Sequence, residues 1–434
     1  MCKNNCRYRS ADGSCNNRKH PEWGTTFSPQ ARFLPPDYGD HFNIGITPRF
    51  KSVTGHRLPS PREISNSVHD AGMTAPRDHI YNINLIHFGL LVLFDVISTT
   101  FLQGPRNQIN LKTSYLDLSL IYGNSKEGEQ RFRQFGSEGE QRFGQFGSEG
   151  EQRFRQFGSE GEQRFRQFDS EGEQRFGQFG SEGEQRFGQF GSGEQRFRQF
   201  SSAYVPAVIG QDAMMRYGLK STRYGHNTMY NPTRDATTSN VFATAAIRFG
   251  HSTFDTFEND VIQGFSPDTF QNYSNIVTNS PSSYTLFTRF QSKTDRFMTD
   301  FGRNKVWESE PRNSVDTMSF DIQRGRDHGL PSYNRWRKYC GLRPILHFGK
   351  GIMGFADHTL GAIKALASVY RHPDDIDLIS GAMAERPVSG GIVGPTFACL
   401  LGQQFALFKT GDRFYYENDF YPTGFTTVIN VISE

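Results

Sequence analysis

Residues 127–200 cannot build a packed core, and they split the chain into two parts that must fold around them. The unit Glu-Gly-Glu-Gln-Arg-Phe-Arg-Gln-Phe-Gly-Ser begins at Glu127 and restarts every 11 residues, at Glu138, Glu149, Glu160, Glu171 and Glu182. A seventh copy, Gly193 to Phe200, lacks the first Glu. The seventh place is Arg or Gly, and Asp169 stands once for the Gly of the tenth. Across these 74 positions Phe is the only hydrophobic residue type, with 14 copies beside 15 Gly. An 11-residue period can support a right-handed helical coil. Each unit, however, carries one to three glycines, at about 1 kcal/mol each in a helix. The segment therefore reads as disordered and of low complexity. It is either an adhesive Phe-Gly/Arg tract or a neutral expansion in a surface loop. Near-identity of the copies, the mark of tandem duplication, favours the second.

The boundaries follow: 1–126 and 201–434 as two parts of one domain, with 127–200 inserted between them. Setting the tract aside leaves 360 residues (434 − 74), about 38% hydrophobic, which is ordinary for a globular core. Lys and Arg number 48 against 45 Asp and Glu. So even a balance gives no electrostatic case for nucleic acid or an anionic membrane. The longest apolar run, Phe88 to Phe94, is seven residues, whereas a membrane span needs about 20. Met1-Cys2-Lys3-Asn4-Asn5 opens no signal peptide, so the protein is cytosolic or the sequence lacks its natural start. Five cysteines, Cys2, Cys6, Cys15, Cys340 and Cys399, show no zinc spacing; four could pair, in several ways. Asn272-Tyr273-Ser274 is a weak glycosylation signal.

Apolar periodicity predicts helices over 83–99, 204–217, 239–251, 333–340, 352–370 and 394–409, and few strands. The class is mainly α.

Three segments carry candidate chemistry. In Ser239 to His251, Arg248 and His251 are three apart and share a helix face. An imidazole beside a guanidinium suits haem, one ligating iron and the other pairing a propionate. The plainer reading is a structural histidine at a helix end. Asp321 to Gly329 is dense in charge: a second wall of a cofactor site, or a solvated turn held by Arg–Asp pairs. Thr113, Asp117 and Ser119 place oxygens at i, i+4 and i+6, able to wrap a hard cation such as calcium, or simply forming a turn.

Together these segments resemble the animal haem peroxidase family. The opening YRSADGSCNN and HPEWG (Tyr8 to Asn17, His20 to Gly24), NQINLKTSYLDLS from Asn107 to Ser119, and Phe242 to His251 all look like its motifs. So do QRGRDHGLP from Gln323, GPTFAC from Gly394 and GDRFYYEN from Gly411. The likeness runs in order over 6–135 and 203–424 and points to a divergent, peroxinectin-like or chorion-peroxidase-like member. It implies a helical peroxidase fold, haem, and hydrogen peroxide with small reducing substrates. It also implies a secreted protein and a role of the oxidative-stress type. By resemblance His251 is the proximal iron ligand, and Arg248 and Arg324 hold haem propionates. Asp95, Thr113, Tyr115, Asp117 and Ser119 bind calcium. Cys6–Cys15 and Cys340–Cys399 are disulfides, leaving Cys2.

The distal helix departs from the family's pattern. Leu90 stands for the glutamine, Leu93 for the acid that esterifies haem, and Phe94 for the distal histidine; Asp95 alone survives. The segment bearing a distal arginine and a second esterifying glutamate is replaced by the repeats. Asp321 stands where many members have Asn. Three readings follow: an active peroxidase, a non-catalytic haem-binding or structural and adhesive extracellular module, or a defective gene product. The residues predict non-covalent haem b, no distal catalytic group, and weak or absent turnover.

Overall fold

The computed structural model describes residues 8–40, 47–72, 75–82, 84–98, 108–117, 200–220, 229–253, 290–306 and 314–418. The repeats up to residue 199 lie outside them; Phe200, which the sequence reading puts in the disordered tract, is instead buried in the core. Ten α-helices are described: α1 Pro61–Val68, α2 Asn84–Val96, α3 Val205–Arg216, α4 Asn240–Thr244, α5 Asp300–Asn304, α6 Thr317–Asp327, α7 Tyr333–Tyr339, α8 Leu360–Val369, α9 Leu378–Met383 and α10 Pro395–Gly411. Strands are short and paired antiparallel: β1 Ser28–Pro29 with β3 Ile109–Asn110, and β2 Arg77–Asn82 with β4 Phe290–Ser292. The chain is mainly helical, as its periodicity predicts.

Helix α10 is the axis of the core. Proline at its first turn suits a position with no intrahelical N–H bond to lose. Phe397, Leu400, Leu401, Phe405 and Phe408 are all buried, so the helix is enclosed rather than amphipathic. It packs against α3 and α4. Phe405 meets Phe200 edge-on at 5.1 Å, and Phe408 meets Phe242 at 5.6 Å. Cys340, at the end of α7, is disulfide-bonded to Cys399 of α10, with Cα atoms 6.0 Å apart. Cys15 is also disulfide-bonded; Cys2 and Cys6 lie outside the described residues.

Three predicted helices are corrected. The 239–251 segment is α4 followed by a 3-10 turn, Ala246–Thr253. The break is at Ala245, whose φ is −133°. The 352–370 segment is helical only from Leu360, with Thr359 capping the Ala362 N–H. Before it the chain turns through Gly351 and Met353 at φ +101° and +59°, values a helix cannot accept. Gly210 bends α3 at φ +76°. A Cβ there would meet the Ser389 carbonyl oxygen at 2.5 Å, so the close approach requires glycine.

Candidate functional site

The site forms where the 3-10 turn crosses α6. Asp316 caps α6 by accepting from the Ser319 N–H, which sets the phase that turns Asp321 inward and Arg324 one turn later onto the same side. Asp321 is 1% exposed, so the solvated-turn reading of 321–329 is wrong. Its Oδ2 lies 2.5 Å from His251 Nδ1. Its Oδ1 takes a hydrogen bond from Arg324 at 3.2 Å and stands 3.9 Å from Arg248 Nε. Arg248 Nε donates to the Ala243 carbonyl at 2.8 Å, closing the end of α4 where the helix breaks.

One carboxylate therefore serves an imidazole and two guanidiniums. Burial works against the Asp321 charge, but His251, then Arg248 and Arg324, outweigh it and hold the carboxyl below its ordinary range. Burial, with the Arg324 charge beside it, lowers Arg248 to about 9 against the pull of Asp321; it stays a cation at neutral pH. His328 ends α6 with Nδ1 2.9 Å from the Thr244 hydroxyl. Burial and three arginines, Arg324, Arg248 and Arg32, lower it to about 3, so it is a neutral structural bridge. Arg326, two places after Arg324, turns away to grip Asp377 through two bonds, at 3.0 and 2.7 Å.

His251 lines a narrow cavity of about 20 Å³, partly open to solvent, between α2 and the 3-10 turn. Its α2 wall includes Leu85, Ile86, Leu90 and Leu93, all aliphatic. Phe94 is half-buried against the core and outside this lining. Ile86 Cδ1 lies 3.0 Å from where a Cβ on Gly250 would sit. Helix α2 thus rests directly on the turn that bears His251.

The oxygen donors predicted for calcium are partly gathered. Asp95 is buried at the end of α2. Asn110 ties that end to the 108–117 loop, donating to the Val96 carbonyl at 2.7 Å. Asp117 accepts from the Thr113 hydroxyl at 2.9 Å and from Arg9 at 3.3 Å. Arg9 also pairs with Asp412 at 2.6 Å and lies over the Tyr115 ring. The Tyr115 carbonyl accepts from the Asp117 N–H. Ser119 lies outside the described residues. A cation competes with any metal at Asp117.

Two cavity residues escaped the sequence reading. Tyr204 packs its ring against Phe88 at 5.3 Å, and its hydroxyl lies 2.8 Å from where a Cβ on Gly89 would sit. Gln291 arrives on β4. Neither belongs to a motif; only the pairing of β2 with β4, and of α2 with the segment before α3, places them.

The family model for animal haem peroxidase matches residues 8–103, 100–199 and 200–429. A peroxidase-like protein of Margaritifera margaritifera is 28% identical over 96% of this chain and 65% of its own length. Thyroid peroxidase of Mus musculus is 25% identical over 96% of this chain and 58% of its own. The chain thus spans less than two thirds of these relatives' length. In structure it is similar to peroxidase A from Dictyostelium discoideum, with TM-score 0.61, 18% identity, and coverage of 98% and 97% of the two chains. A fatty acid alpha-dioxygenase of Oryza sativa follows at TM-score 0.54 and 14% identity, over 94% of this chain and 79% of the other. These last two show a shared fold. With a family model matched along nearly the whole sequence, and His251, Arg248 and Arg324 gathered at one buried carboxylate, this chain belongs to the animal haem peroxidase family.

Proposed function

We propose that the chain is a haem protein that keeps the proximal half of a peroxidase site and lacks the distal acid–base half. Family membership implies haem, and hydrogen peroxide as its partner. The observation that carries the reading is the His251–Asp321 pair with two guanidiniums beside a cavity walled by leucines. The donor set suits haem. An imidazole whose Nδ1 is tied to a carboxylate presents Nε2 to iron, and that second bond orients the ligand. Arg248 and Arg324 are the partners for propionates. When bound, haem supplies the redox-active iron.

The protein's own residues do the rest. Asp321 holds the Nδ1 proton and makes the imidazole a stronger donor. Leu85, Leu90 and Leu93 exclude water from the α2 side. Ile86 rests on Gly250, so haem uptake goes with a shift of α2 off the turn. Leu93 cannot form an ester, so haem b is held without a covalent bond. Among the described lining residues α2 contributes Leu85, Ile86, Gly89, Leu90 and Leu93, none of them a proton acceptor, which limits peroxide chemistry there. Asp95, Thr113, Tyr115, Asp117 and Ser119 form the calcium loop in this reading, in competition with Arg9. Disulfides at Cys15 and Cys340–Cys399 support an extracellular setting. Among the described residues no helix is long and apolar enough to cross a membrane.

The aliphatic wall also favours a second reading, a haem-binding or adhesive module without turnover. Haem titration followed at the Soret band tests the shared premise. One haem should bind, His251→Ala should abolish the axial signature, and acidified organic solvent should extract all the pigment. Absence of stoichiometric binding, or pigment retained by the protein, overturns it.

A further inference from the structure

Three large apolar side chains stand in water around the loop that leads into α8. Ile352 is 89% exposed, Leu360 62% and Leu346 54%. The loop is firmly anchored. Ile345 and Phe355 are buried in the core at its two ends. Asn334 clamps the Ile345 backbone through both atoms of its carboxamide, at 2.6 and 2.8 Å. The Leu346 N–H donates to the Met353 carbonyl at 2.8 Å, which sets Leu346 beside the Ile352–Met353 pair. Lys350 Nζ donates to the His358 carbonyl, so the loop lies against the start of α8, where Leu360 stands. Met353 is held at φ +59°, a backbone state costly for a residue other than glycine. Large apolar side chains kept together in water on an ordered loop mark a contact surface.

The charges around them have one sign. From residue 328 to 356 the sequence holds five Lys and Arg and no Asp or Glu, although the chain as a whole is nearly balanced. Arg343 and Lys350 are exposed on the loop itself. Lys364 is exposed one turn after Leu360, on the same face of α8. Arg386, also exposed, donates to the Ala356 carbonyl at 2.7 Å. The acids that the fold brings close are engaged, Asp357 by Arg337 and Asp374 by Asn334, each at 2.7 Å. We propose that this face binds an anionic lipid surface, with Ile352, Leu346 and Leu360 entering the interface and the four cations meeting the headgroups. Apolar anchors ringed by Lys and Arg are what interfacial membrane binding combines. The centres of protein interfaces are instead depleted in Lys. The contact is peripheral and requires no spanning helix.

The test mixes the full chain with vesicles of phosphatidylcholine, with or without phosphatidylserine. Cosedimentation should show binding at least about tenfold tighter to the anionic vesicles, weakened by added salt. Lys364→Gln should weaken it roughly fivefold, the scale of one cation near a charged surface. Ile352→Ser together with Leu360→Ser should weaken it about tenfold or more, with the thermal midpoint unchanged, because both side chains are already in water. If that double variant does not fold, Ile352→Trp decides. Its fluorescence, less that of the unmutated chain, must move to shorter wavelength on anionic vesicles and not on neutral ones. No sedimentation, equal binding to both vesicles, binding that survives the double substitution, or an unmoved emission overturns the proposal. A dimer in sedimentation velocity that the double substitution dissolves, without vesicle binding, gives the face to a second copy and overturns it too.

Discussion

His251 Nδ1 lies 2.5 Å from Asp321 Oδ2, across 70 residues of sequence. The carboxylate is 1% exposed and shared with two guanidiniums. Asp321→Asn should therefore act twice. It leaves Arg248 and Arg324 buried without their common counter-charge, which should cost ~3 kcal/mol, the scale for breaking a buried ion pair. With haem bound, it should raise the iron reduction potential, because a neutral amide withdraws less proton density from the imidazole. Urea unfolding reads the first effect and spectroelectrochemistry the second. A potential that stays level or falls would sink the account of Asp321.

Reaction with hydrogen peroxide should be slow. A distal base is worth ~10²–10⁴ in rate, and a positive group at the leaving oxygen is worth by analogy ~10²–10³. Neither is among the described α2 residues that line the cavity, Leu85, Ile86, Gly89, Leu90 and Leu93. The combined deficit is roughly 10⁴–10⁷ if the two multiply, though such groups seldom do. Phe94→His should recover only part of it, since Phe94 lies outside the cavity lining and Leu90 remains. Stopped-flow absorbance of the haem-loaded protein mixed with peroxide checks this. A fast reaction of the unmutated chain, at a rate typical of efficient peroxidases, contradicts it.

Three histidines, His69 and His358 buried and His328 half-buried, should make the fold acid-sensitive. Burial, first among the causes, lowers His69 to about 4, His328 to about 3 and His358 to about 4. Each stays neutral in the folded chain and takes up a proton near pH 6.5 once unfolded. The unfolded state thus binds more protons between about pH 6.5 and 4, so stability falls as pH falls through that window. The slope is roughly 1 kcal/mol per pH unit for each histidine. Asp377 adds to it at lower pH. Burial opposes its charge, but Arg326 and Arg49 hold its carboxyl below the ordinary range, and that contribution goes as the pH approaches its folded value. Urea midpoints between pH 7 and 5 should show an uptake near three protons; a flat profile would refute this.

Reduction should loosen the C-terminal half. The Cys340–Cys399 bond closes a loop of 59 residues, and the chain-entropy model gives about 4 kcal/mol for a loop of that size. Replacing both cysteines by serine should lower the thermal midpoint by several degrees, and reductant should lower the midpoint of the unmutated chain by more than that of the variant, which keeps the Cys15 disulfide. Equal midpoints would show that α7 and α10 are held by packing alone.

Part of the site was legible because its signals are local. Arg248 and His251 are three residues apart, and a 3-10 turn keeps such a pair on one side as a helix does. Asp321 and Arg324 repeat that spacing on α6. Resemblance supplied their roles. The shape of the 239–253 segment was not legible. The break at Ala245 comes where Arg248 turns back on the Ala243 carbonyl, and an alanine-rich run carries no mark of it. Gln291 and Tyr204 had no signal at all, since each reaches the cavity from an element whose partner is remote in sequence.

From the sequence alone come the mainly helical class and the helices expected at 83–99, 333–340 and 394–409, seen as α2, α7 and α10. These follow from propensity and period, which act within a few residues. Tertiary structure decided which charges are buried and with whom. Arg324 and Arg326 are two residues apart on α6, yet one joins Asp321 beside His251 and the other joins Asp377. Residues two apart on a helix face different ways, and only the elements packed on each side determine what they meet.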